Sequence, residues 1–154
     1  MSEQSMEMAK VLYESVCSTL DGMDIKYKRV EEDLVILLGH QGEDMKHELL
    51  IAVSPDNEAI RIIERLPFSI NPEKATDIAV STCYVNDTLL TGKFTYDMKE
   101  RISFELAHIY TGSLVGEETI KRMIMAVVVT VERYDDKFMA VNKGYLKPED
   151  IVNK

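Results

Sequence analysis

Apolar residues at helical spacing open the chain: Met8, Val11, Leu12, Val16 and Leu20 alternate with charges, and Gly22 supplies a stop, which predicts a first helix. A short strand is expected over Lys26 to Val30, with Glu31-Glu32-Asp33 as a turn. The aliphatic runs Leu34 to Leu38 and Leu49 to Val53, joined through a polar stretch with two glycines, predict a hairpin whose strands are covered on both faces. Ala59 to Leu66 follows as a further strand. Asn71-Pro72-Glu73 carries the residues of a helix start, and the second helix is expected to bury Ala75, Ile78, Ala79, Cys83 and Val85. Strands return at Gly92 to Tyr96 and Arg101 to Tyr110, where Ile102, Phe104 and Leu106 alternate with Arg101, Ser103 and Glu105.

The last helix is predicted from Gly116 to Lys143, closed by Gly144. Its main stripe is Ile120, Met123, Ile124, Val127, Val128, Val131, Tyr134 and Phe138, and Met125, Ala126 and Val129 widen the apolar surface beyond one face. The β-branched run Val127 to Val131 leaves a strand as the alternative there. The pattern is that of one α+β domain over residues 1–154, an antiparallel sheet flanked by helices.

Composition narrows the functional classes. The 18 basic and 27 acidic residues leave a net charge of -9, which repels a nucleic-acid backbone and an anionic membrane surface. The longest apolar run, Met123 to Val131, is far shorter than the ~20 residues a bilayer span needs. The start of the chain lacks a basic and apolar leader, so a cytoplasmic location is expected, with Cys17 and Cys83 as thiols.

Candidate chemistry is sparse. His40 and His47 flank the hairpin turn and face one another across it, with Glu43 and Asp44 between them, yet the spacing suits a surface turn better than a metal site. His108 reads as a polar strand end, and Gly112-Ser113-Leu114-Val115-Gly116 has the wrong spacing for a nucleophile elbow. Glu117 and Glu118 stand where a phosphate loop needs Lys and Ser or Thr. The acid groups Glu31-Glu32-Asp33 and Asp135-Asp136 read as solvated surface. No catalytic, cofactor-binding or metal-binding residue is therefore assigned.

Asn86, Leu89, Gly92, Phe94, Asp97, Arg101, Ile102 and Phe104, followed by Tyr110-Thr111-Gly112-Ser113-Leu114 and by Tyr134, resemble the YbjN-type family, described as bacterial sensory transduction regulators. The resemblance implies the fold of type III secretion chaperones, which are small, acidic, cytoplasmic and commonly dimeric, with the order α-β-β-β-α-β-β-α. The family pattern contains no catalytic residue. The expected function is a non-enzymatic, chaperone-like or regulatory protein-binding module that acts as a homodimer without a cofactor, binding by strand addition at a sheet edge or through an apolar patch. Ile102, Phe104 and Leu106, or Met125 and Val129 on the outer side of the last helix, are the candidate interaction residues. The alternative is a small-molecule sensor with Tyr96, His108 and Tyr110 as its polar groups.

Overall fold

A computed structural model describes residues 2–154. Helix α1 (Glu3–Gly22) is opened by Ser2, whose Oγ accepts the Ser5 N–H at 3.0 Å. Four strands follow, β1 (Lys28–Val30), β2 (Val35–Gln41), β3 (Lys46–Ser54) and β4 (Ala59–Arg65). Helix α2 (Ala75–Thr88), the hairpin β5 (Lys93–Tyr96) and β6 (Ile102–Ile109), and the 26-residue helix α3 (Glu117–Asn142) complete the chain. The α+β class holds. The order has one strand more than the resemblance implies, the three-residue β1.

The strands form one sheet in the order β1-β2-β3-β4-β6-β5, antiparallel at every pairing. The strand period of two divides it into two chemically different faces. On the inner face Ile36, Ile51, Ile62 and Leu106 stand side by side across four strands, all buried. The adjacent inner row is Leu38, Leu49, Glu64, Phe104 and Phe94. Helix α3 crosses β4 and β6 and contacts both α1 and α2, driving Val127, Val131, Phe138 and Val141 to complete burial. The helical reading of Val127 to Val131 therefore prevails over the strand.

The outer face departs from the expectation that the aliphatic runs are covered on both sides. Leu37 is 38% exposed, and Val35, Leu50, Ala52 and Ile63 are only half-buried. The helices take the inner side of the alternation, and no helix among the described residues covers the outer one.

A second correction concerns the proposed contact residues. Ile102, Phe104 and Leu106 point inward and are 0%, 1% and 4% exposed, so they are core rather than interface. Met125 and Val129 lie on the solvent side of α3, at 45% and 46% exposed. A third concerns α2, where Cys83 is exposed and Ser81 and Thr82 are buried instead. Their hydroxyls donate to the Asp77 and Ala79 carbonyls, both at 2.7 Å, so the helix itself satisfies them. No helix among the described residues is long and apolar enough to cross a membrane.

Candidate functional site

Buried ionisable groups are costly unless they are paired, and three of them, His47, Glu64 and Asp135, meet the half-buried His40 beneath the β2–β3 hairpin. His40 and His47 are direct cross-strand partners, as their spacing about the turn predicts, and their rings stack with centroids 5.1 Å apart and planes 13° apart. They point inward, under α3. His47 is 0% exposed, as is Glu64 on β4, and Asp135 on α3 is 4% exposed.

The contacts form a chain. His40 Nε2 lies 3.0 Å from Glu64 Oε1, His47 Nδ1 lies 3.0 Å from the same oxygen, and His47 Nε2 lies 3.1 Å from Asp135 Oδ2. Asp135 Oδ1 accepts the Asp136 N–H at 2.7 Å, which fixes the carboxylate. From the same helix, Glu132 Oε1 accepts the Glu43 N–H at 2.9 Å and ties the hairpin turn to α3.

Two atoms in this chain are left over. Although His47 Nδ1 is close to Glu64 Oε1, its direction is not that of a hydrogen bond, and neither Nδ1 nor Glu64 Oε2 meets a hydrogen-bond partner among the described residues. A buried polar atom without a partner costs about 1–3 kcal/mol. The environment also shifts two of the groups. The Glu64 carboxylate raises His40 above the ordinary imidazole value against the opposing effect of burial. Burial raises Asp135 above the carboxylate range, opposed by the Asp136 N–H and His47.

The carboxylates of this cluster were not anticipated, yet periodicity carries the signal. Glu64 follows Ile60 and Ile62 at a step of two, as His47 precedes Leu49, Ile51 and Val53, which sets both on the inner face. Asp135 lies four positions after Val131 and eight after Val127, on the buried stripe of α3. Asp135 is therefore not part of a solvated pair. Glu43 and Asp44, which stand between the histidines in the sequence, are exposed, as a surface turn requires, and their side chains lie outside the chain of contacts.

The sensor residues do not converge. Tyr96 pairs with Ile102 at one end of β6, while His108, six residues along, is about 20 Å away and exposed. Tyr110 is buried and its hydroxyl donates to the Ser54 carbonyl at 3.4 Å, whereas the buried Tyr96 Oη has no partner among the described residues.

A second candidate surface lies on the open side of the sheet. There Lys28, Leu37, Leu50, Ile63, Glu105 and Lys93 form a single row across all six strands. Leu37, Leu50 and Ile63, its second to fourth residues, are apolar, flanked by Val35 and Ala52 in the next row. Leu37, Leu50 and Ile63 border a depression whose rim carries Lys46, Glu48 and Arg65. Beyond it the surface turns polar, where Arg61 Nε donates to Glu105 Oε1 at 2.6 Å.

The residues behind the family resemblance do structural work. Asn86 on α2 grips β5: its Oδ1 accepts the Phe94 N–H at 2.7 Å and its Nδ2 donates to the Phe94 carbonyl at 2.9 Å. Gly92 lets the chain pass over Phe104, and Asp97 Oδ1 accepts three backbone N–H groups in the β5–β6 turn. Phe94 packs against Phe104, Tyr134 and Phe138 with ring centroids 4.8, 5.9 and 4.9 Å away.

Comparison with known proteins agrees with that reading. No curated protein matches the chain. A crystal structure of YbjN from E. coli, titled "a putative transcription regulator", superposes with a TM-score of 0.60 at 12% sequence identity, over 85% of this chain and 89% of that one, which shows a shared fold. Residues 13–140 match the YbjN family, "Putative bacterial sensory transduction regulator". With residues 13–140 of its 154 matched, the chain belongs to the YbjN family.

Proposed function

We propose that this protein is a cytoplasmic, non-enzymatic regulator that binds another polypeptide and acts as a homodimer paired through the open face of its sheet. The observation that carries this reading is the half-covered apolar group of Leu37, Leu50 and Ile63 with Val35 and Ala52. Contiguous apolar patches on a soluble domain mark association surfaces. A second copy suits this one because the row is self-complementary. A two-fold axis parallel to the strands and midway between the two sheets, level with Leu50, sets Leu37 of one copy against Ile63 of the other, and the reverse, with the sheets about 10 Å apart.

Met125 and Val129, one turn apart on the solvent side of α3, remain available to the partner polypeptide. The net charge of -9 favours a partner segment that is basic and disfavours regulation by direct contact with DNA.

Light scattering across the micromolar range tests the assembly. The unmodified protein is expected to have the mass of two chains, and Leu50→Glu, whose side chain stands at the centre of the face and outside the core, to give a folded protein with the mass of one. A monomeric unmodified protein, or a Leu50→Glu variant that still dimerises, would overturn the reading.

A further inference from the structure

We propose that His40 Nε2, His47 Nδ1 and Glu64 form a three-ligand site for a divalent transition cation of the zinc class, with Asp135 orienting His47. The three ligand groups come from adjacent strands and offer atoms that all lie within 4.8 Å of one another. Two imidazoles and a carboxylate are a donor set suited to zinc-class ions and poorly matched to calcium or magnesium, which take oxygen ligands.

Two independent features distinguish this cluster from a self-contained hydrogen-bond network. The first is the pair of leftover atoms. His47 Nδ1 and Glu64 Oε2 are both fully buried and both without a hydrogen-bond partner among the described residues, and they belong to two of the three ligand groups. A cation gives each side chain the electron-pair acceptor it lacks.

The second is the far side of the His47 ring. A metal-bound histidine characteristically donates its other N–H to a carboxylate, which fixes the tautomer and the ring plane. His47 Nε2 lies 3.1 Å from Asp135 Oδ2, and a proton held between them leaves Nδ1 as the nitrogen with a free lone pair. Charge agrees with this assignment. The pocket brings together two acidic side chains, Glu64 and Asp135, neither of which is paired with Lys or Arg among the described residues, and this suits a cation. His40, whose side chain is 19% exposed, forms the solvent side of the site and leaves a route for entry. Because the ligands lie on β2, β3 and β4 and the orienting carboxylate on α3, occupancy would fasten the hairpin to the helix layer. The site is separate from the open sheet face, so it stands or falls independently of the dimer.

The test uses the full chain, stripped with a chelator and titrated with Zn2+ against a competing indicator, followed by X-ray absorption of the bound ion. One ion per chain with two imidazole ligands is expected. The chain has three histidines, and His108 sits at the opposite end of the sheet, so two imidazoles on one ion identify His40 and His47. His40→Gln should abolish stoichiometric binding with the circular dichroism spectrum intact, and Asp135→Asn should weaken it by about 10–100-fold. No stoichiometric binding at micromolar Zn2+, fewer than two imidazoles on the ion, or full affinity in a folded His40→Gln would each overturn the proposal. Should His40→Gln fail to fold, the imidazole count on the unmodified protein decides the question alone.

Discussion

At Gly92 the backbone takes φ +74°, and a Cβ there would stand 2.3 Å from Phe104 Cζ, with the Glu105 carbonyl only 3.1 Å away on the strand. Two penalties combine at that position, the left-handed backbone and the overpacking of a buried aromatic ring. Gly92→Ala is expected to destabilise the fold by roughly 2–4 kcal/mol, read as a lower urea midpoint with an unchanged slope. A loss below about half a kilocalorie would show that neither the left-handed backbone nor the Phe104 contact constrains this position. Gly92 is legible in the sequence as a family position, but the reason for it requires knowing that Phe104 lies beneath. The buried cluster shows the opposite balance. His40 and His47 are legible as a pair because a short turn separates two aliphatic runs. Glu64 and Asp135 escape notice because a charged residue suggests solvent, even where the period of two on β4 and the helical stripe on α3 place each among buried aliphatics. At such positions periodicity is the stronger argument, since burial is decided by the element and the charge is then matched by its neighbours.

The β5–β6 hairpin shows how an element can depend on one ionised side chain. Asp97 Oδ1 accepts the N–H groups of Lys99, Glu100 and Arg101 at 2.9, 2.8 and 3.0 Å, and these bonds hold its carboxyl below the usual carboxylate range. A group with a depressed native pKa binds its proton less readily in the folded state than in the unfolded one. Its contribution is complete above the unfolded pKa and is lost as pH falls through the native one. Glu105, lowered chiefly by its bond from Arg61, acts with the same sign. Acidification should therefore loosen this hairpin. Asp97→Ala is expected to flatten part of the acid limb of stability against pH, measured by urea unfolding at stepped pH. An acid limb identical to that of the unmodified protein would exclude Asp97 from it. The hairpin itself is readable from the alternation of Ile102, Phe104 and Leu106. That these residues face the core rather than a partner is not, because alternation names two faces without saying which one the helices occupy.

On the scale of the molecule, the three helices share one side of a six-stranded sheet and leave the other open. The aliphatic runs of β2 and β3 conceal this in the sequence. An uninterrupted apolar strand reads as covered on both sides, and nothing local distinguishes cover by the same chain from cover by another. If a second copy supplies that cover, folding and association are linked by mass action. The thermal midpoint should then rise with protein concentration in the unmodified chain and be independent of it in Leu50→Glu. A midpoint independent of concentration in both would argue against pairing in the folded state.

The two rims of the sheet bear on how far such association runs. The outermost strands, β1 and β5, are only three and four residues long. A rim that short exposes few free backbone groups for an incoming strand to extend, which disfavours growth by edge-to-edge addition. Face-to-face pairing about a two-fold axis uses the same patch on both copies and leaves neither free. If two copies pair in this way, a third would find no open face and almost no ladder to lengthen, and the geometry that permits the pair would also end the assembly there, short of a filament.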